Sequence, residues 1–311
     1  MIKRLKASYM LYNFFHRKKL QHNVRIYKKL GLRKWYFSPV CNKDFDKVDK
    51  NSIPKSGNIT SVENTQLFNE LETDSQKSIE QFETQGYAVI NSYLSSETVN
   101  AVNNEIENLL KQEAVDFKYR NKIMFAIHKS ELLRSIGEDP KLIELLSAIM
   151  QDKMKLFQSI NFLTGSEQKT HSDSIHMTTF PLGGLLGVWI ALEDIELDNG
   201  PLHYYAGSHS LPYYLNDDYD NNGNFLLIGK KGYTEYEKML ETKIEELQIK
   251  KSVFLAKKGD LLIWHANLLH GGEPHTNKAK TRKSMVFHYF AVDRICYHEI
   301  TQRPALMNDL N

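Results

Sequence analysis

Beyond Lys153 the chain becomes a succession of short runs rich in β-branched and aromatic residues: KLFQSINFLTG, LLGVWIALEDI, GPLHYYAGS, KSVFLAKKGDLLIWHA and RKSMVFHYFAV. Turn signals, among them Asn199-Gly200 and Lys258-Gly259-Asp260, separate them. Many short strands punctuated in this way suggest an antiparallel sandwich or barrel. The stretch before them has a different texture. SIEQFETQGYAVINSYLSSETVNAVNNEIENLLKQ predicts a short helix, a strand from Tyr87 to Ile90, and a helix opened by Ser95 or Ser96. In that helix Val99, Val102, Ile106 and Leu109 or Leu110 recur at helical spacing, with Glu97 in the first turn. A second amphipathic helix fits Asp139 to Gln151. The expected fold is mainly β with flanking helices.

At 311 residues the chain can bury a sizeable core as one large domain with a tail. Twelve of its 40 basic residues precede the first acidic one, Asp44, which leaves a body of 28 basic and 38 acidic residues, net −10. An acidic globule with a basic head follows, so the overall charge of +2 argues little for nucleic-acid binding and none is expected. We read residues 1–43 as a helical basic head, 44–65 as a polar linker marked by Pro54 and Gly57, and 66–311 as the folded domain. Within that domain, residues 213–250 are long and mostly polar, with a short helix near Glu235 to Leu247, as a functional lid would be.

The start lacks a continuous apolar run and a small-residue cleavage site, which argues against a secretory signal, and no segment is long and apolar enough to span a bilayer. Cys41 and Cys296 fit no disulfide or metal framework, and the expected location is cytoplasmic. Leu5, Tyr9, Tyr12 and Phe15 fall near helical spacing among Lys and Arg. The head therefore either contacts an anionic membrane peripherally, contacts an acidic partner, or packs on its own acidic body.

In KTHSDSIHMTTFP, His171 and Asp173 stand two apart, so on an extended segment both project from one face and can address one metal ion. A third ligand is offered by His270, which ends an apolar strand and is followed by Gly271 and Gly272. Two histidines and one carboxylate with open positions form the facial arrangement of non-haem Fe(II) oxygenases. Arg282 lies twelve residues past His270. If GGEPHTNKAK reverses the chain as a hairpin, Arg282 reaches the neighbouring strand and the same cavity, where its planar charge suits a carboxylate such as the distal end of 2-oxoglutarate. His176 reads as a substrate contact or as a group supporting the ligands rather than a ligand itself, and His265 as a core histidine. His275 reads as a solvated turn residue, and His203, His209 and His288 as packing residues. Tyr213, Tyr214, Tyr233 and the segment from Phe117 to Lys129 are candidate pocket walls.

Several motifs agree in order: FETQGYAVINSYLSSE, THSD, GVWIALEDIELDNGPLHYYAGSH, GDLLIWHANLLHGGEP and TRKSMVFHYF. From about Phe82 to Tyr289 the sequence resembles the phytanoyl-CoA dioxygenase family of Fe(II)/2-oxoglutarate oxygenases. The resemblance implies a double-stranded β-helix core, jelly-roll and cupin-like, and a dioxygenase using Fe(II), 2-oxoglutarate and O2 to hydroxylate an unactivated C–H bond. It assigns His171, Asp173 and His270 to the metal and to catalysis, Arg282 to the distal carboxylate of 2-oxoglutarate, and Trp189 to a place beside it. Ser172 stands where many members have a glutamine, and Gly272 stands near a cosubstrate-contacting serine, so secondary contacts to the cosubstrate differ. Retention of Asp173 disfavours halogenation. The expected substrate is a small molecule, lipid- or carrier-linked. The rival readings are a non-catalytic barrel-fold binding protein and a zinc-dependent hydrolase at the same ligands, which lacks an HExxH motif.

Overall fold

The computed structural model describes residues 4–49, 58–119 and 121–307; Pro54 and Gly57 of the polar linker lie outside the described residues. Its helices are α1 (Lys6–Phe15), α2 (Gln21–Lys29), α3 (Gln66–Glu70), α4 (Thr73–Glu80), α5 (Phe82–Gln85), α6 (Ser96–Lys111), α7 (Glu131–Gly137), α8 (Pro140–Met150) and α9 (Tyr233–Leu247). Its strands are β1 (Tyr87–Ile90), β2 (Phe117–Lys118), β3 (Lys122–Met124), β4 (Met154–Phe162), β5 (Thr178–Phe180), β6 (Leu185–Ala191), β7 (Leu202–Tyr204), β8 (Ser252–Phe254), β9 (Leu261–His265), β10 (His270–Gly272), β11 (Ser284–Ala291), β12 (Ile295–His298) and β13 (Arg303–Pro304). No described helix is long and apolar enough to cross a membrane.

A seven-stranded antiparallel sheet, in the order β1-β9-β6-β11-β4-β3-β2, forms the main wall. Two smaller sheets, β10-β7-β8 and β13-β12-β5, complete the structure. Side chains alternate across a strand, and here both faces of the main wall are covered, so its central strands read as unbroken apolar runs. Leu186, Val188 and Ile190 of β6, Leu261 and Ile263 of β9, and Met285, Phe287 and Tyr289 of β11 face outward into one core with α6, α7 and α8. Trp189, Leu262, Trp264 and Val286 face inward into a second core with Leu202 and Tyr204 of β7. This inner layer, between two antiparallel sheets, is where the chemistry-bearing residues gather.

The helices begin where local chemistry lets them. The Ser95 hydroxyl accepts from the Thr98 amide ahead of α6, and the Asp139 carboxylate accepts from the Lys141 amide ahead of α8, with Pro140 opening the first turn. The turn signal Lys258-Gly259-Asp260 divides KSVFLAKKGDLLIWHA into two strands, of which β8 pairs with β7 whereas β9 lies between β1 and β6. One expectation needs correction. β10 and β11 do not form a hairpin: β10 pairs with β7, and β11 pairs with β4 and β6, so residues 273–283 cross from one sheet to the other.

The first helices dock on the β13-β12-β5 sheet. Asn23 donates to the Cys296 carbonyl at 2.7 Å and accepts from its amide at 2.8 Å, imitating a strand beside β12. Ile26 and Tyr27 pack with Phe180, Ile295 and Tyr297. Phe45, from the polar stretch after the head, stacks on Phe180 with ring centroids 4.1 Å apart.

Gly187 of β6 pairs with Trp264 of β9, and a methyl group at Gly187 would overlap the indole ring. Gly187→Ala is therefore expected to cost about 1–3 kcal/mol by overpacking. Urea unfolding should show a lower midpoint with an unchanged slope; an unchanged midpoint would show that the close fit of Gly187 to the ring does not matter.

Candidate metal centre

His171 and His270 are 99 residues apart in sequence yet directly opposed. Each donates its amide to the other's carbonyl at 2.9 Å, forming an antiparallel bridge. Each ring is held the same way: His171 Nδ1 lies 2.9 Å from the Lys169 carbonyl, and His270 Nδ1 lies 2.9 Å from the Leu268 carbonyl. A carbonyl only accepts, so each Nδ1 carries the proton and each Nε2 keeps its lone pair. Both Nε2 atoms turn toward Asp173, whose Oδ1 lies 3.8 Å from His171 and 3.9 Å from His270. One ligand atom from each of the three residues falls within 4.8 Å of the others, and all three residues are buried.

The rest of the setting orients the carboxylate. The Trp264 indole donates to Asp173 Oδ2 at 2.7 Å, and His288 Nε2 lies 3.6 Å from the same oxygen. Burial by itself would raise the Asp173 carboxyl, but His270, His288 and His171 outweigh it and hold the group well below the usual carboxylate range. Burial and the neighbouring His270 push His171 well below its ordinary value, so it is neutral near pH 7. Neutral imidazole nitrogens and an ionised carboxylate are the donor set a divalent transition-metal ion takes, and three donors leave coordination positions open.

Arg282 sits on the chain just before β11, at the end of the inward row Ser284, Val286 and His288. It is buried, donating from Nε to the Gly200 carbonyl at 3.0 Å and from Nη1 to the Ser284 hydroxyl at 2.6 Å. These bonds use two of its five N–H donors. Its guanidinium carbon lies 5.7 Å from the ring centres of both Trp189 and Phe162. Burial lowers its pKa to about 10, against the pull of Glu193, and it keeps its charge at neutral pH. The Trp189 indole nitrogen beside it is buried and without a hydrogen-bond partner. An orphaned donor next to a buried cation marks a place for an anionic ligand.

Ser172 turns to a protein partner: its hydroxyl and its amide each lie 3.3 Å from the Tyr236 hydroxyl on α9. His176 stands apart from the three ligand atoms, with its ring 6.2 Å from that of His171, 4.5 Å from Tyr233 and 5.4 Å from His298. Burial pushes His176 down to about 3 and His298 to about 4, leaving both rings neutral. Tyr213 and Tyr214 pack in the apolar cluster around Tyr236 and Leu240, whereas Tyr233 reaches the site.

Two histidines depart from expectation. His275 is buried, not solvated: its Nδ1 accepts from the Gly165 amide at 3.2 Å and its Nε2 donates to the Asn277 carbonyl at 3.0 Å. His288 adjoins Asp173 and does more than pack. Sequence reasoning also passed over Trp264, His298 and Gln168, and named Lys122 only as part of a wall segment. Lys122 donates to the Gln168 side-chain oxygen at 3.0 Å, and the Gln168 amide lies 3.0 Å from His171 Nε2. Burial lowers the Lys122 pKa, opposed by Asp173. The inward parity of Trp264 and His288 on their strands was the available signal, but parity does not say what a side chain meets.

Comparison with known proteins follows from this geometry. The chain is 37% identical over 97 residues to the mouse (Mus musculus) phytanoyl-CoA dioxygenase domain-containing protein 1, an alignment covering 29% of this chain and 33% of that one. The match thus spans about a third of that relative's length. Among solved structures, the non-haem α-ketoglutarate-dependent carbocyclase SnoK of nogalamycin biosynthesis superposes with a TM-score of 0.58 at 19% identity, covering 77% of this chain and 89% of that one. EctD from S. alaskensis with 2-oxoglutarate and 5-hydroxyectoine gives 0.54 at 17% identity, covering 76% and 83%. These likenesses bear out the mainly β, cupin-like core of a double-stranded β-helix. The family model for phytanoyl-CoA dioxygenase (PhyH) matches residues 82–284, from the first residue of α5 to the first of β11, and on that extent the chain belongs to the phytanoyl-CoA dioxygenase family.

Proposed function

We propose that this protein is an Fe(II)- and 2-oxoglutarate-dependent dioxygenase that hydroxylates an unactivated C–H bond of a small-molecule, lipid- or carrier-linked substrate. The observation that carries the reading is the pair of opposed histidines with fixed tautomers, His171 and His270, sharing an ionised Asp173. In this proposal His171, Asp173 and His270 hold the metal. When bound, Fe(II) supplies oxidation of a C–H bond by O2, coupled to conversion of 2-oxoglutarate to succinate and CO2.

The chain's own residues bind, orient and exclude water. Arg282 takes the distal carboxylate of 2-oxoglutarate through its remaining N–H donors, and the orphaned Trp189 indole donates to the same ligand. Lys122, close enough to Asp173 to feel its charge, is a second cation for the cosubstrate's other end. Ser172 contributes through Tyr236, tying the ligand segment to α9. Residues 66–311 form the catalytic unit in this reading, with 213–250 as its lid. His176, His298 and Tyr233 are neutral hydrogen-bonding walls that meet the substrate. Two free thiols, Cys41 and Cys296, suit a reducing cytoplasmic setting, with residues 1–43 as the peripheral membrane contact.

Anaerobic addition of Fe(II) and 2-oxoglutarate is expected to produce a visible charge-transfer band that His171→Ala abolishes. Absence of the band in the native chain, or its persistence in the variant, would sink the oxygenase reading in favour of a binding protein. Trp264→Phe removes the indole donor from Asp173 and should weaken metal affinity about 10–100-fold while the fold is kept; isothermal titration with Fe(II) under anaerobic conditions reads this directly. Arg282→Lys loses planar recognition of a carboxylate, worth about 1.5–3 kcal/mol, so the Kd for 2-oxoglutarate should rise roughly 10–150-fold. Metal affinity should be unchanged, and a variant that still binds 2-oxoglutarate normally would remove Arg282 from its proposed place.

A further inference from the structure

The basic head and the insertion meet at a point that neither charge nor motif foretold. Immediately before α1, Leu5 bridges Leu227 in antiparallel fashion, Lys6 donates its amide to the Leu226 carbonyl at 3.0 Å, and Ile228 donates to the Arg4 carbonyl at 3.0 Å. The Arg4 guanidinium clamps the same segment through the Ile228 and Gly229 carbonyls. Beside this clamp the insertion makes a built turn in which the Asn224 side chain accepts from the amides of both Leu226 and Leu227 at 2.9 Å. The turn presents Phe225, 92% exposed, and Leu226 to the outside.

The head presents matching chemistry. Helix α1 buries Lys6, Tyr9 and Asn13 and leaves Leu11, Phe14 and Phe15 outward at i, i+3 and i+4, on one face. Phe15 is 74% exposed and Trp35 is 71% exposed. They join a cluster in which Phe14 lies 5.4 Å from Phe15 and 5.7 Å from Phe37, and Trp35 lies 6.1 Å from Phe37. Arg17, Lys18, Lys19, Lys28 and Arg33 are exposed, as is Lys230 beyond the Phe225 turn, and no acidic residue precedes Asp44. Exposed aromatic and aliphatic side chains among exposed cations form the pattern of a surface that sits at the headgroup level of an anionic bilayer. A nucleic acid would use the cations but gives no apolar interior for Phe225, Leu226 and Leu11 to enter.

We propose that the outward face of α1, the Trp35–Phe37 segment and the Phe225–Leu226 turn form one surface that docks on an anionic lipid bilayer, and that docking there acts on α9. The mechanical link is short. From the clamp at Ile228 and Gly229 the chain enters α9 at Tyr233, whose ring packs on His176, and one turn later Tyr236 meets Ser172 between two metal-site residues. The proposal rests on reading residues 213–250 as a lid but not on the iron chemistry, and it places substrate capture at the lipid surface.

The test uses the full chain and reads neither turnover nor metal. Co-sedimentation with phosphatidylcholine vesicles, with and without phosphatidylserine, is combined with hydrogen exchange on the vesicle-bound protein. We expect salt-sensitive binding to the phosphatidylserine vesicles only, with slowed exchange in both 6–37 and 224–247. Phe225→Asp with Leu226→Asp, and separately Phe15→Asp with Trp35→Asp, should each weaken binding at least roughly tenfold with an unchanged thermal melt. Lys18→Glu with Lys19→Glu provides the same reading should either pair of aspartates impair folding. No binding to either vesicle, binding that survives all three changes, protection confined to 6–37, or capture by RNA but not by vesicles would each overturn the proposal.

Discussion

The reciprocal hydrogen bonds between His171 and His270 are the constraint on which the site depends. A hydrogen-bonded antiparallel pair holds its two α-carbons about 5.5 Å apart, so two residues that 98 others separate become a rigid unit. The bridge sets only the backbones. What aims the rings is a second, repeated device, in which each Nδ1 donates to the carbonyl two residues earlier. Backbone carbonyls as ring anchors cost no side-chain entropy and cannot change protonation, so the lone pairs of both Nε2 atoms point into the site before anything binds. Asp173 completes the unit from the same short segment, with the Trp264 indole holding its outer oxygen.

Arg282 follows a different logic. Burying a permanently charged group is costly unless something compensates it. Among the described residues no carboxylate lies within ion-pair distance of Arg282. Its direct partners are a carbonyl, a hydroxyl and the faces of two rings. A cation kept under these terms, next to an unpaired indole donor, is better explained by a ligand it waits for than by fold stability. The inward row of β11 puts Arg282 near one end and His288, beside Asp173, near the other, so one strand joins the buried cation to the surroundings of the candidate ligands.

Much of this was legible in the sequence, and the limits have physical causes. The apolar, β-branched and aromatic runs of GVWIALEDI and LLIWHA, bounded by turn signals, predict strands, and His171, Asp173 and His270 stand out because ligand chemistry restricts which residue types can serve. Helix starts at Ser95 and Asp139 are equally local and were readable for that reason. The failures are all cases in which a local pattern has two tertiary outcomes. GGEPHTNKAK has the residues of a hairpin, but β10 found its partner in β7, and the segment became a crossing between sheets. His275 looks like a solvated turn residue, yet the turn folds back until Gly165 donates to its ring. His288 and Trp264 are inward by parity, and only the packing of β9 against β6 over Gly187 shows that they converge on one carboxylate.

Most of the walls around the cluster come from elements other than those that hold it. His171 meets His270 in a bridge at the start of β10, and His176 follows on the same segment as Asp173, whereas His298, Tyr233 and Tyr236 come from β12 and α9. The head reaches both of the more distant walls: Asn23 extends the edge of β12 at Cys296, two residues before His298, and Arg4 to Lys6 clamp the strand that leads to α9. Neither contact passes through the His171–His270 bridge, yet the second leads close to it, because Tyr236 of α9 meets the hydroxyl and amide of Ser172, between His171 and Asp173. The two histidines are held against such a neighbour by their own reciprocal backbone bonds and carbonyl-anchored rings, which is the rigidity a reactive centre needs beside a helix that can shift.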